Sequence, residues 1–327
     1  MLKLQVSCAG EPEQVVECVD VPAPVPGAAD LLVRVLAAPI NPADLLLIRG
    51  RYGTEPPFPF TPGFEAVGRV EAMGAAVEGF AVGDLVLPLP GPGAWSEQIV
   101  VAAAMAVPLP AGLDPAQASM IKVNPATALL LLQQEPTLQP GDWVVQSAAN
   151  SAVGHYLIQI ARRRGLRTLN VVRRAELAAE LKAIGADAVV TQEALAEDGL
   201  AAMGGAHARL AIDAVGGEVT AALGHLLQPG APIVAYGLLS GAAFRVDAAD
   251  VVFRGVSLRG FWLAEWFKSA SETDVQRLYG ELIGMVARSE LSAPVEARYP
   301  FQDWQKALVH ADQEARNGKV LFVPGRS

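Results

Sequence analysis

Hydrophobic positions change rhythm twice along this chain. Up to about Gln117, short alternating runs at residues 31–36, 67–70, 85–89 and 97–101 are separated by Pro and Gly. A period of two means half-buried strands, and their close spacing predicts a barrel-like β domain. From Ala118 to about Phe261, apolar strand-like runs at 143–147, 168–172, 188–191, 210–214, 233–236 and 256–261 alternate with helical stretches at 155–164, 175–184 and 219–227. That alternation predicts a parallel, doubly wound α/β sheet. The tail predicts an amphipathic helix over 272–289 and strands at 295–299 and 320–323. Because its texture is β again, the expectation is one domain built from residues 1–117 and 262–327, with residues 118–261 inserted into it.

Residues 142–174 read in finer detail as strand, tight turn, helix and second strand. The turn holds Asn150, Ser151, Ala152, Val153 and Gly154, and the second strand runs into Arg173 and Arg174. A dinucleotide needs those parts in that order: the turn lets a pyrophosphate approach the backbone, and the helix N-terminus stabilises its charge. If Gly154 is the last glycine of G-x-G-x-x-G, Ala149 and Ser151 replace the first two. Alanine is small enough for the turn, and a serine hydroxyl can bond a phosphate oxygen. An ordinary strand-turn-helix without a ligand has the same local pattern. An acidic residue after the second strand would bind a ribose 2′-hydroxyl, whereas arginine pairs with a 2′-phosphate, so the cofactor expected is NADPH.

At 327 residues the chain is long enough for two ordinary cores. Its 52% hydrophobic content would suggest a membrane protein only if apolar runs approached 20 residues, and none does. A formal charge of −9 argues against nucleic acid and against an anionic membrane surface. The run Arg162, Arg163, Arg164 is read as a solvated helix end. Cys8 and Cys18 fall in an expected N-terminal hairpin and are read as a reduced pair. Met1 to Val6 look like a strand rather than a signal peptide, which makes a cytoplasmic location the expectation.

The segments from Arg34 to Asp44 (RVLAAPINPAD) and from Gly63 to Gly68 (GFEAVG) resemble the catalytic domain of the medium-chain dehydrogenase/reductase superfamily. The resemblance extends over nearly the whole chain and implies a GroES-like catalytic domain carrying a Rossmann domain. Zinc members supply a cysteine near Asn41–Asp44 and a histidine where this chain has Phe64. Neither ligand is present, nor is a close cysteine quartet, and His155, His207, His225 and His310 lack ligand spacing along the chain. No metal is therefore expected. Without a Lewis acid, reduction of an activated double bond remains feasible, because the substrate carbonyl takes up charge as hydride reaches the β carbon.

Residues 124–128, 146–154, 166–173 and above all 258–266 (LRGFWLAEW) resemble mitochondrial-type 2-enoyl thioester reductases, with quinone oxidoreductases next. The resemblance implies a proton donor at Tyr52, between Gly50 and Gly53, with an aromatic lid and water as donor the rival reading. It implies a substrate pocket containing Asn41, Tyr52 and Trp262. Cofactor contacts are implied at Asn124, Asn150 to Gly154, Arg173, Arg174, Tyr236, Gly237, Leu238, Leu239, Phe261, Trp262, Leu263 and Lys319.

Several of these have plainer readings. Asn124 before Pro125 could be a helix cap, Phe261 and Trp262 core aromatics, and Lys319 a solvated surface charge. Where the family has Arg-Asp-Arg this chain has Arg173-Arg174-Ala175, which puts the strictness of the NADPH preference in question. Arg51, Arg254, Arg259 and Lys268 are candidates for thioester phosphates and individually read as surface charges. The expected partners are an enoyl thioester of CoA or acyl carrier protein, or a quinone. A homodimer through the strand at 256–261 is expected too. A nucleotide-binding protein with little catalysis is the alternative from another class.

Overall fold

The computed structural model describes residues 1–89, 93–314 and 316–325. The chain divides into two compact units, Met1–Val123 with Tyr279–Ser327, and Asn124–Leu278. These divisions fall beyond the 117/118 and 261/262 positions drawn from texture alone.

In the first unit β1 (Leu2–Val6) pairs antiparallel with β2 (Val16–Asp20) across α1 (Pro12–Val15). Cys18 opposes Leu4 on this hairpin, Cys8 is exposed, and both thiols are free. Next come β3 (Asp30–Pro39), α2 (Pro42–Ile48), β4 (Val67–Met73), β5 (Leu85–Pro88), β6 (Gln98–Ala102), β7 (Ala106–Pro108) and α3 (Pro115–Ala118). The α2 helix breaks the all-β expectation: Pro42 at its first position and Asp44 in its first turn start a helix that the proline-rich texture disguised.

The second unit runs α4 (Asn124–Leu132), β8 (Trp143–Gln146), α5 (Ala152–Arg163), β9 (Arg167–Val172), α6 (Ala178–Ala183), β10 (Ala188–Thr191), α7 (Leu195–Ala202) and β11 (Leu210–Asp213). It continues with α8 (Glu218–His225), β12 (Pro232–Ala235), α9 (Ala248–Arg254), β13 (Ser257–Gly260) and α10 (Leu263–Ser269). The second division lies within α11 (Glu272–Ala287), after which β14 (Val295–Tyr299), α12 (Trp304–Asp312) and β15 (Lys319–Phe322) complete the first unit.

The tail strand β15 pairs antiparallel with β3 and parallel with β14, giving the order β14-β15-β3-β4-β5-β7 with β6 also on β3. Alternate residues of β3, Leu31, Val33 and Val35, point into a core shared with Trp95, Phe301 and Phe322. The Trp95 ring meets Phe322 edge-on at 5.1 Å.

In the second unit six parallel strands lie in the order β10-β9-β8-β11-β12-β13, the doubly wound order with its switch point between β8 and β11. Every residue of β8, β11 and β12 is buried, as helices on both faces require, and this explains their apolar runs, which give way only to the hydrogen-bonded Gln146 and Asp213 at the ends of β8 and β11. Edge strand β13 is exposed throughout.

Candidate active site

The first unit buries four ionisable side chains around the start of α2. Asp44 reaches back to accept the Asn41 N–H on Oδ2 at 2.8 Å and accepts the Phe64 N–H on Oδ1 at 2.9 Å. Glu65 accepts the Asn41 side-chain amide on Oε1 at 2.9 Å and the Val123 N–H on Oε2 at 2.8 Å. The Lys319 ammonium donates to Ile40 O at 3.2 Å and to Asn41 Oδ1, while the Lys122 ammonium donates to Phe64 O. The Tyr279 hydroxyl donates to Lys122 O at 2.9 Å.

All these side chains are buried, and two carboxyl and two amino groups can balance charge, which burial demands. Burial, opposed by its hydrogen bonds and by Lys319, pushes the Asp44 carboxyl up to about 7. Burial raises Glu65 as well, and lowers both Lys122 and Lys319 to about 8 against the pull of Glu65.

Tyr52 follows the end of α2. Gly50 at φ +66° supplies the left-handed residue that closes the helix, with its N–H on Leu47 O and the Arg51 N–H on Leu46 O. The half-buried Tyr52 ring then rests on Phe64, with centroids 5.2 Å apart. Thus Asn41 and Lys319 touch directly, and Tyr52 is joined to them through Phe64 and Asp44. The solvated reading of Lys319 is overturned: β15 lies between β14 and β3, and that strand position carries the lysine inward.

In the second unit the parallel strands bring residues 147–154, 173–174, 214–216, 236–239 and 261–263 to one carboxyl edge. Ser151 caps α5, its hydroxyl accepting the Gly154 N–H at 3.1 Å. A Cβ on Gly154 would stand 2.4 Å from Ala149 O, so only glycine allows this approach. The turn holds Ala148 at φ 48°, a left-handed conformation that costs a non-glycine residue energy. Behind it, Gln146 Nε2 donates to Gly154 O at 3.1 Å and to Asn170 Oδ1 at 2.8 Å, and Asn170 Nδ2 donates to Ala188 O at 3.0 Å. This buried amide chain fixes β8, β9 and β10 under the turn.

Asp213 organises the other side of the switch point. Its carboxylate accepts the Ser147 hydroxyl at 2.7 Å, the Thr220 hydroxyl at 2.6 Å and the N–H groups of Val215 and Gly216. The Tyr236 N–H bonds Asp213 O at 2.9 Å; burial pushes its phenol well up, with a hydrogen bond to the Ser151 side chain opposing. Gly237 packs where a Cβ would meet Ala214 O at 2.7 Å, and Leu238 and Leu239 are exposed beyond it.

Arg173 is exposed directly after β9, and Arg174 lies 3.7 Å from Glu176. Asn150 and Ala152 are half-buried in the turn, and Val153 is buried. Asn124 is the buried first residue of α4, already helical and so not a cap. Phe261 and Trp262 are half-buried and outside the core, because β13 is an exposed edge. Leu263 begins α10, a helix the sequence did not announce, and the Lys268 ammonium lies 5.5 Å over the Trp262 ring. Arg254, Arg259 and Lys268 are engaged by Asp250, Gln134 O and Glu265 respectively.

The small residues of the turn, the Gly154 close approach and the N-terminus of the twelve-residue α5 fit a dinucleotide pyrophosphate. Sequence reasoning passed over Asp44, Glu65, Lys122, Asp213 and Asn170. Asp44 and Glu65 stand in RVLAAPINPAD and GFEAVG as charges inside apolar stretches, the signal that the sequence carries for them.

A six-stranded unit of this order in one chain with a mostly antiparallel β unit defines a two-unit nucleotide-dependent dehydrogenase. Residues 27–111 match the alcohol dehydrogenase GroES-like domain family, and residues 152–279 match the family described as zinc-binding dehydrogenase. The mitochondrial enoyl-[acyl-carrier-protein] reductase of Bos taurus is 36% identical over 321 residues, covering 96% of this chain and 86% of the bovine one. A Bacillus thuringiensis structure named as a candidate NADPH:quinone reductase aligns at a TM-score of 0.91 and 31% identity over 99% of both chains. Etr1p of Candida tropicalis, in complex with NADP and crotonyl-CoA, aligns at a TM-score of 0.87 and 23% identity over 98% of this chain and 99% of that one, a likeness of fold. The chain belongs to the medium-chain dehydrogenase/reductase superfamily, and within it to the family of the mitochondrial-type enoyl reductases.

Proposed function

We propose that this protein is an NADPH-dependent reductase of the α,β double bond of 2-enoyl thioesters. The observation that carries this reading is the 36% identity to a mitochondrial enoyl-[acyl-carrier-protein] reductase over 96% of the chain. Bound NADPH supplies hydride to the β carbon of the substrate. Ser151, Ala152, Val153 and the α5 N-terminus orient the pyrophosphate, Gly154 lets the helix approach, and Arg173 and Arg174 hold the 2′-phosphate. The edge from Tyr236 to Leu239, with Asn124, Phe261, Trp262 and Leu263, shapes the nicotinamide end.

The Tyr52 phenol donates the proton that the α carbon takes up. A phenol is a weak acid that keeps its proton at neutral pH and can give it to an enolate. Asp44, Glu65 and Lys319 hold Asn41 in one orientation by bonding both its backbone and its amide. Phe64 and the Asn41–Asp44 segment offer neither thiolate nor imidazole, so charge on the substrate carbonyl is met by hydrogen-bond donors.

Quinone reduction is the second reading, favoured by the 31% identity to the Bacillus thuringiensis chain. A homodimer belongs to the same proposal: β13 is an exposed edge strand, which pairing with a two-fold mate would cover, and Val251, Val252 and Phe253 on the preceding α9 are exposed as well. Acidic charge supports neither nucleic-acid nor membrane partners, and no described helix is long and apolar enough to cross a membrane.

Steady-state NADPH oxidation with crotonyl-CoA, compared with 1,4-benzoquinone and repeated with NADH, tests the proposal. It expects fast turnover of the thioester with NADPH. Turnover of the quinone alone moves the protein to the second reading.

A further inference from the structure

The end of α8 and the start of α9 bring three ligand-type side chains together, none of them assigned to the nucleotide edge. His225, the last residue of α8, places Nε2 2.5 Å from Oδ2 of Asp247 and 3.5 Å from Oδ2 of Asp250. One donor atom from each lies within 4.8 Å of the other two. His225 and Asp247 are half exposed, whereas the Asp250 side chain is only 6% exposed.

Among the described residues, Oδ2 of Asp250 has no hydrogen-bond donor. A buried carboxylate oxygen without one is costly. Its other oxygen is taken: Oδ1 accepts from Arg254 Nη1 at 2.5 Å. The same guanidinium donates to the carbonyl oxygens of Gly224 at 3.4 Å, His225 at 3.5 Å and Leu227. Arg254 therefore ties the last turn of α8 to the Asp250 carboxylate and leaves Oδ2 directed at the imidazole. Gly224 makes the space, since a Cβ there would stand 3.3 Å from that oxygen. Asp247 occupies the N-cap of α9, yet among the described residues its side chain makes no cap bond and turns to His225 instead.

We propose that His225 Nε2, Asp247 Oδ2 and Asp250 Oδ2 form a divalent cation site of the zinc or cobalt class. One imidazole and two carboxylates with an open position for water suit these ions. Ligand bonds of about 2.0–2.1 Å in a tetrahedron separate donor atoms by roughly 3.3 Å, close to the His225–Asp250 spacing. Asp247, at an exposed helix start, has room to withdraw to the same separation. Arg254 acts as the outer-shell partner that fixes the buried ligand. Two carboxylates against one guanidinium leave a negative site, which a divalent ion offsets. The bound ion fastens α8 to α9, the helix that leads into β13. Chain spacing gave no hint of it, because the fold alone joins His225 to residues more than twenty positions away.

The test uses full-length protein without a histidine tag, stripped with EDTA and titrated with Co2+ alone. The expected result is a visible d–d absorption band that saturates at one equivalent and is displaced by Zn2+. With Zn2+ at about 100 times its Kd, the thermal midpoint should rise by several degrees. His225→Ala and Asp247→Asn, both at half-exposed positions that should not disturb folding, are each expected to weaken Co2+ binding at least tenfold. His207→Ala should leave it unchanged. Absence of the band and of the thermal shift in the wild-type protein would overturn the site and leave an ion pair. Unchanged binding in His225→Ala would overturn it equally.

Discussion

The side-chain amide of Asn41 donates to Oε1 of Glu65 at 2.9 Å, and both residues are buried. A residue read as part of the substrate pocket is thus held by a carboxylate whose second oxygen secures the Val123 N–H.

Removing that carboxylate should be expensive. Glu65→Ala removes the carboxylate that accepts from the Asn41 amide and the Val123 N–H and leaves two buried lysines against the single carboxyl of Asp44, for an expected loss of about 3–5 kcal/mol. Urea denaturation measures it, with Glu65→Gln expected to lose less. An unchanged midpoint in Glu65→Ala would contradict the arrangement.

The cluster also sets a pH dependence. Burial raises Asp44 from 3.8 to about 7, so between those values the folded state binds more protons than the unfolded one, and this contribution to stability falls as pH rises. Lys122 and Lys319 are lowered from 10.5 to about 8, so above pH 8 the unfolded chain binds more protons and their contribution rises. Denaturation midpoints across pH should show Asp44→Asn losing the fall between about 4 and 7. An identical slope in wild type and variant would exclude Asp44 as its source.

Gly154→Ala forces the first turn of α5 away from Ala149 O. The expected cost is about 1–3 kcal/mol of stability, with NADPH affinity falling alongside. Fluorescence titration that found wild-type affinity in a stable variant would show that the close approach is dispensable.

Arg173→Ala should weaken NADPH by roughly ten- to a hundredfold, the loss of one charge-assisted bond, while NADH binding barely changes. Calorimetric titration with each cofactor decides; equal losses for both would remove Arg173 from the 2′-phosphate.

Tyr52→Phe should lower kcat by about 10²–10⁴ with little change in NADPH affinity. An unaltered kcat would reduce Tyr52 to an aromatic covering Phe64 while water supplies the proton.

The parallel sheet, the tight turn before α5 and the return of the tail to the first unit were legible because each follows from local periodicity or a turn. Helices α2 and α10 were not: α2 is seven residues long in proline-rich surroundings, and before α10 the aromatics Phe261 and Trp262 prolong the apolar run past the end of β13 and masked the change of period. The plainer reading of Lys319 as a solvated charge failed because a lysine beside a glycine looks solvated until strand pairing on both sides carries it inward. The partners Asp44, Glu65 and Lys122 escaped because their meaning lies in contacts between segments far apart in sequence.

The most direct measurement traces the transferred hydrogen. NADPH fully deuterated at the nicotinamide C4 is incubated with crotonyl-CoA and the protein, and the product is analysed by NMR. Butyryl-CoA with one deuterium at C3, and solvent hydrogen at C2, is the expected result. No butyryl-CoA, or deuterium at C2 instead of C3, would contradict hydride delivery to the β carbon.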